Sequence, residues 1–233
     1  MKKKKLSIIL PSYNEERNIK DTFNTVIKSL NKSLIYNFEI IFVDDGSKDL
    51  TTNIIKKIIF ENHKRINIRN KFFSKNYGLG RAFKAGSKLA TGSHVMFIPT
   101  DNYHPYKGLA DIFKNMKWDN SILISFVKNT NQRSLFRRII SKTYTYMLNI
   151  LFKNKIKYFN GLNIYPKKIL SKNINKTYGF SFQTEIIIKA IKNGCDYYHV
   201  PTILRQRKES FTNAFRFKNI YQVFTSILKL YFS

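Results

Sequence analysis

The sequence predicts an α/β protein, with a mainly parallel sheet, helices on both of its faces, and a C-terminal amphipathic helix. Three observations predict it. Strand-length apolar runs alternate with segments of helical period through the first half of the chain, the pattern of parallel strands joined by helical crossovers. Two of these runs end in acidic turns, at Asp44 and Asp101, and open α/β sheets bind ligands beyond the carboxyl ends of their strands. The 233 residues, 43% of them hydrophobic, are enough to bury a sizeable core.

Taken in order, residues 6–10 (LSIIL) form a short buried strand that ends at Pro11. A helix follows from about Glu15, with Ile19, Phe23, Val26, Ile27 and Leu30 on one face. Residues 38–43 (FEIIFV) make a second strand, stopped by the turn signal DDGS, and a helix carrying Ile54, Ile55, Ile58 and Ile59 comes next. A third strand is expected at 66–70 and a fourth at 94–98, with the glycine-bearing helix NYGLGRAFKAGSKLA between them. Residues 121–127 (SILISFV) supply a fifth.

The second half changes character. Residues 134–152 are expected to form a helix with Ser134 as N-cap and Leu135, Phe136, Ile139, Ile140, Met147, Ile150 and Leu151 as an apolar stripe. Its other face carries Arg137, Arg138 and Lys142. A last helix, from about Asn213 to Phe232, places Phe217, Ile220, Tyr221, Phe224, Leu228 and Tyr231 on one side. Either stripe can complete the core; with basic residues beside the apolar ones, both also suit a membrane surface. The expected organisation is one domain over 1–212 and the amphipathic helix over 213–233.

The N-terminal MKKKKLSIILPSYNEE imitates a signal peptide, but its apolar run stops at Leu10, so it fits a lysine tail entering the first strand. No run of about 18 apolar residues encodes a membrane span. Cys195 is the only cysteine, which excludes an intrachain disulfide and favours a reducing compartment. The expected location is cytoplasmic, peripheral at the inner face of the cell membrane.

Formal net charge is +28, from 42 basic and 14 acidic residues, and no acid lies between Asp119 and Glu185. Such a field attracts polyanions, whether nucleic acid, anionic lipid or phosphorylated substrates. With no zinc-ligand cluster and no RNA-binding aromatic motif, nucleic acid is not the expected partner. The sequence sets no oligomeric state.

VDDGSKD (43–49) puts two adjacent carboxylates at the end of a buried strand, where they can bond a base or ribose. It equally suits an Asp-Gly turn with a helix cap at Ser47. NYGLGRAFKAG (76–86) has Gly78 and Gly80 at dinucleotide-fingerprint spacing, but Phe83 stands in the third glycine's place, which argues against a nicotinamide enzyme.

The ordered set is more specific than its members. PSYNEERNI, VDDGSKD, NYGLGRAFKAG and IPTDNYHP, each at its place among the strands and helices, together resemble the inverting glycosyltransferases of family 2. Within that family the chain is most similar to the polyprenyl-phosphate glycosyltransferases of the dolichol-phosphate mannosyltransferase type. The stretch GFSFQTEIIIKAIKNGCDYYHVPT (179–202) extends the resemblance, as does RKESFT (207–212), where Ser210 and Thr212 replace the family's glycine and serine.

The resemblance implies a GT-A fold and a nucleotide-sugar donor bound by Pro11, Tyr13, Glu15, Asp44 or Asp45, Asn76, Gly78 and Thr100. It implies that Asp101 is the second acid of an Asp-x-Asp element holding Mg²⁺ or Mn²⁺ against the diphosphate, with Pro99 in the first acid's place. Arg207 is the candidate for a second clamp on that diphosphate, whose developing charge must be neutralised as it leaves. Arg133, Arg137 and Arg138 offer cations to the phosphate of a lipid-linked acceptor lying at an anionic membrane surface. Glu185 stands where the family places an acid, and would serve as general base if the acceptor were instead a sugar hydroxyl of a growing glycan. A catalytically inactive GT-A adaptor is the further alternative that Pro99 raises.

Overall fold

The computed structural model describes residues 4–174, 179, 181–206, 225, 227–228 and 230–232. Seven strands form one sheet in the order β3-β2-β1-β4-β6-β5-β7. These are β1 (Leu6–Ser12), β2 (Phe38–Asp44), β3 (Ile68–Phe72), β4 (His94–Phe97), β5 (Ile122–Val127), β6 (Ile164–Pro166) and β7 (Tyr197–Thr202). Only β6 runs against the rest, antiparallel to both β4 and β5. All seven residues of β1 are buried, as expected of a strand covered on both faces by crossover helices.

Strand side chains alternate between faces, and the core divides accordingly. Leu6, Ile8 and Leu10 of β1, with Ile40 and Phe42 of β2, pack under α1 (Ile19–Lys32), α2 (Thr51–Asn62) and α4 (Tyr106–Lys114). Ile9, Ile41 and Val43 face the other way, against α3 (Leu79–Leu89) and α7 (Phe182–Lys192). Phe83, at the position where a dinucleotide fingerprint needs glycine, is fully buried there against Phe97, Tyr165 and Phe182. The α1 stripe expected from the sequence is buried at Ile19, Phe23, Val26 and Leu30.

Two expectations need correction, and one alternative that the sequence left open falls away. The third strand lies two residues later than 66–70, because its register is set by Ile40 pairing with Ile68; as a sheet-edge strand with an exposed middle it has little apolar pattern to announce it. Ser134 stands at the N-cap of α5 (Leu135–Leu151), but its side chain makes no capping bond. The α5 stripe does not complete the core: only Leu148 of that helix is buried, and Leu135, Phe136, Ile139, Ile140, Met147 and Ile150 are exposed. Strand β6, helix α4 and the short α6 (Lys167–Asn173) complete the architecture. Most of the expected helix at 213–232 lies outside the described residues; of those described, Ile227 and Leu230 are buried in the α3–α7 layer.

At the amino end of the sheet, away from the acidic turns, Glu39 organises three segments. One carboxylate oxygen accepts from Ser7 Oγ at 2.6 Å and from the Thr91 and Gly92 N–H groups; the other accepts from Lys5 Nζ at 2.9 Å and Thr91 Oγ1, with Arg69 Nε at 3.5 Å. Burial would raise its pKa, but these donors outweigh burial and hold it down to about 2, from 4.5. A carboxyl whose pKa falls on folding stabilises the fold above its unfolded pKa and loses that contribution as pH drops towards the folded value. Glu39→Gln is therefore expected to cost on the order of 3 kcal/mol at pH 7. In denaturant titrations the difference from the parent chain should shrink between about pH 5 and pH 2.

Among the described residues, no helix is long and apolar enough to cross a membrane.

Candidate active site

The strand order reverses at β1, which has β2 on one side and β4 on the other. A crevice beyond the carboxyl ends at such a switch point is where this sheet type binds ligands. Three loops meet there, and their hydrogen bonds fix their shape. The Asp45 N–H donates to the Ser12 carbonyl at 2.8 Å. Asn14, at φ 54°, donates its N–H to Ser47 Oγ at 3.0 Å, and its Oδ1 accepts the Lys48 N–H at 2.8 Å. The Glu15 N–H donates to Thr51 Oγ1, and the Glu16 N–H to Asp49. Pro11 is buried within β1, whereas Tyr13 is exposed beside the stitched loops.

The two carboxylates at the carboxyl end of β2 are both buried and both engaged inside the protein. Asp44 accepts the Ser47 N–H, the Ser47 hydroxyl at 2.5 Å and the Thr52 hydroxyl. Ser47 thus closes the turn onto Asp44 and does not cap α2, whose N-cap position is Leu50. Asp45 accepts the N–H groups of Tyr77 and Gly78 at 2.8 and 2.7 Å. Burial, reinforced by the neighbouring Asp44 charge, raises its pKa although those two donors oppose the shift. Asp45 thereby anchors the loop that opens α3, leaving Asn76 exposed at its rim and Gly78 at φ 92° as the N-cap. Gly46, at φ 74°, lies so close to the Lys75 backbone that a Cβ would meet it at 2.4 Å; only glycine fits this approach.

The third loop, 98–104, follows β4. Thr100 is buried, with its hydroxyl on the Pro11 carbonyl at 3.0 Å and its own carbonyl accepting from Thr22. Thr22 also accepts the Asn102 N–H, fixing Asn102 at φ 53°. Asp101 stands at the apex, half-buried, its Oδ1 accepting the Tyr103 N–H at 3.2 Å. Among the described residues no group of three or more His, Cys, Asp or Glu side chains is arranged to hold a metal ion. Magnesium commonly takes one or two carboxylates with substrate phosphates and waters. One carboxylate on a fixed turn therefore fits an ion held jointly with a diphosphate, and does not fit a preformed protein cage.

Arg133 comes to the same end of the molecule. Burial pushes the His104 imidazole down to about 3, and the Arg133 charge adds to the shift. His104 is thus neutral beside a guanidinium. Arg133 donates to the Tyr158 hydroxyl at 3.2 Å and lies over that ring at 5.2 Å. The Nε groups of Arg133 and Arg138 are buried and find no hydrogen-bond partner among the described residues, and the same holds for Asn102 Oδ1 and His104 Nδ1. Arg137 is half-buried on the first turn of α5. Buried donors without acceptors are costly and rare in native structures.

Glu185 lies in the first turn of α7, buried, and accepts the Ser181 hydroxyl at 2.8 Å. The neighbouring Thr184 bonds Tyr144 of α5 at 2.9 Å. Arg207 lies outside the described residues. Two supporting contacts carry no sequence motif. The Asn129 side chain exchanges two hydrogen bonds with the Leu204 backbone, and the Arg205 N–H donates to the Tyr103 carbonyl at 3.0 Å. The first ties the segment after β7 to the chain just beyond β5, and the second ties it to the loop of the acidic turn. A separate hollow of about 610 Å³, lined by Asp119, Asn173 and Cys195, lies at the amino ends of β5 and β7, opposite these loops.

A family model described as glycosyl transferase family 2 matches residues 7–179. A dolichyl-phosphate beta-glucosyltransferase of Dictyostelium discoideum is 35% identical over 106 residues, 44% of this chain and 32% of its own length. An undecaprenyl-phosphate 4-deoxy-4-formamido-L-arabinose transferase of Pseudomonas fluorescens is 28% identical over 133 residues, 57% of this chain and 38% of its own. The chain thus spans well under half the length of these curated relatives. In fold, the chain is similar to glucosyl-3-phosphoglycerate synthase of Mycobacterium tuberculosis, solved with Mn²⁺, UDP-glucose and phosphoglyceric acid. The TM-score is 0.66 at 16% identity, over 98% of this chain and 80% of that one. The shared architecture is the GT-A arrangement.

Proposed function

The chain belongs to glycosyl transferase family 2, and from that premise we propose that it transfers a sugar from a UDP- or GDP-sugar to a polyprenyl phosphate or other lipid-linked acceptor. The reaction is an in-line displacement. An acceptor phosphate oxygen forms a bond to the anomeric carbon, the bond from that carbon to the nucleoside diphosphate breaks, and the configuration inverts. The bonding electrons leave with the diphosphate, so charge accumulates there in the transition state.

In this proposal Asp101 would hold Mg²⁺ or Mn²⁺ against the diphosphate, and the ion would supply charge neutralisation. Arg207 would be a second clamp; the Arg205–Tyr103 bond, two residues before it, supports that role. The donor sits over the stitched loops of Pro11, Tyr13 and Glu15, with Asp44 and Asp45 shaping its base and ribose pocket and Asn76, Gly78 and Thr100 at its border.

The observation that carries the acceptor assignment is the cationic end of α5. The buried Nε groups of Arg133 and Arg138 lack acceptors among the described residues, in a stretch from residue 120 to 184 that holds 12 lysines and arginines and no acid. A phosphate completes those hydrogen bonds and pairs the charge. Neutral His104 adds no positive charge to compete with Arg133. The names of the curated relatives, which specify dolichyl and undecaprenyl phosphates, support the same acceptor class. The expected setting is surface-glycan synthesis at the inner face of a cell membrane.

The second reading, transfer to a sugar hydroxyl, rests on buried Glu185 as base. An ionised phosphate needs no base, whereas removing one from hydroxyl chemistry costs about 10²–10⁴-fold. Glu185→Gln is therefore expected to change kcat by less than about threefold, with nucleotide binding intact by calorimetry. A loss above about a hundredfold would favour the hydroxyl acceptor.

A further inference from the structure

Between α5 and β6 the chain runs through residues 152–163, and neighbouring elements fix its middle. The Asn149 side chain, on α5, accepts the Ile156 N–H at 3.0 Å and donates to the Ile156 carbonyl at 2.8 Å. The Lys157 N–H donates to His199 Nε2 of β7 at 3.1 Å, and the Lys157 ammonium stands over the Phe126 ring of β5 at 4.5 Å. Burial, helped by the Lys157 charge, lowers the His199 pKa and so keeps that ring nitrogen able to accept. Ile156 and Phe159 are both buried in the core. A segment held through its backbone and by buried side chains on either side of one residue leaves that residue few conformations.

The residue so presented is Tyr158. Its hydroxyl accepts from Arg133 Nη1 at 3.2 Å, and its ring centroid lies 5.2 Å from the guanidinium carbon. Arg133 itself precedes α5, outside any helix or strand that would align its side chain. Both contacts leave its Nε unused, and that buried group finds no acceptor among the described residues. An arginine has much rotamer freedom to lose, and one ordered in advance gives up less of it when an anion arrives.

We propose that Tyr158 is a positioning residue for acceptor binding, holding the Arg133 guanidinium so that Nε meets the acceptor phosphate, with the clamped segment 156–159 keeping the phenol in place. The inference rests on the reading of Arg133 as a ligand of that phosphate, and extends it to a residue that acts only through Arg133.

The test is a double-mutant cycle on the full chain, read by calorimetry with a short-chain, water-soluble polyprenyl phosphate, so that it does not depend on turnover. Tyr158→Leu, which loses both hydroxyl and ring, should bind that ligand at least about tenfold more weakly, with UDP and GDP affinity and the circular dichroism spectrum unchanged. Tyr158→Phe keeps the ring against the guanidinium and should lose only about threefold. With Arg133 already replaced by alanine, Tyr158→Leu should cost less than about twofold, because the phenol has nothing left to orient. Parental affinity in Tyr158→Leu overturns the proposal. So does a loss that recurs undiminished in the Arg133→Ala background, which makes Tyr158 a packing residue. Should Tyr158→Leu fail to fold, the same cycle with Tyr158→Phe decides, and parental affinity or an undiminished loss overturns the proposal there too.

These titrations also keep the positioning role apart from the acceptor assignment. A parent chain that does not bind the polyprenyl phosphate, or binds it equally well after Arg133→Ala, overturns both. Binding that Arg133→Ala weakens and Tyr158→Leu does not removes the positioning role and leaves the acceptor assignment standing.

Discussion

Asp101→Asn is expected to lower metal-dependent kcat/KM by at least about a hundredfold, roughly 2.7 kcal/mol of transition-state stabilisation. The reason is the number of donors. With Pro99 in place of a first acid and no group of three or more metal-ligating side chains among the described residues, the proposed ion depends on the Asp101 carboxylate. The amide of asparagine preserves the turn, because its carbonyl oxygen can still accept the Tyr103 N–H that Asp101 Oδ1 accepts at 3.2 Å. Fold and metal-free nucleotide affinity should therefore persist while the metal-dependent part disappears. Steady-state rates with and without Mn²⁺, beside calorimetry with UDP and GDP, check this. A variant with near-parental Mn²⁺-dependent turnover would remove Asp101 from the metal site.

Arg133→Ala is expected to act on the other substrate. The guanidinium lies on Tyr158 and bonds its hydroxyl, so its orientation is set before any acceptor arrives. Its buried Nε has no acceptor among the described residues, and a preset fork loses little entropy on binding phosphate. Truncation should lower kcat/KM for polyprenyl phosphate about a hundredfold, with donor affinity unchanged. Lysine should restore little of it, because a point charge cannot reproduce the planar fork. An Arg133→Ala variant with parental acceptor kinetics would place the phosphate elsewhere.

Much of this arrangement was legible in the sequence, for physical reasons that differ by element. Strands β1, β2, β4 and β5 are continuous apolar runs because helices cover them on both sides, and such runs stand out against their turns. Both acidic turns sit at strand ends as expected, since β2 and β4 stop within a few residues of Asp44 and Asp101. Edge strand β3 was displaced by two residues and three-residue β6 was not foreseen, because neither is long or apolar enough to impose a pattern. Periodicity located α5 but not the destination of its stripe. The same spacing describes a core helix and a surface one, and only packing distinguishes them.

Site residues show the same division. The order of motifs brought Asp45, Gly78 and Asp101 into one region, yet the sequence could not say that Asp44 and Asp45 spend their oxygens on Ser47, Thr52, Tyr77 and Gly78. It also could not pair His104 with Arg133, nor Asn129 with Leu204. Those contacts join segments far apart in the chain and leave no local signal.

The central claim is that the sugar goes to the phosphate of a lipid, and the mass of that lipid tests it most directly. Purified full chain with polyprenyl phosphate, a panel of UDP- and GDP-sugars and Mn²⁺ should yield a lipid heavier by one sugar residue, with one nucleoside diphosphate released for each product formed. An unchanged lipid mass with every donor, while the same protein binds UDP or GDP, would contradict it.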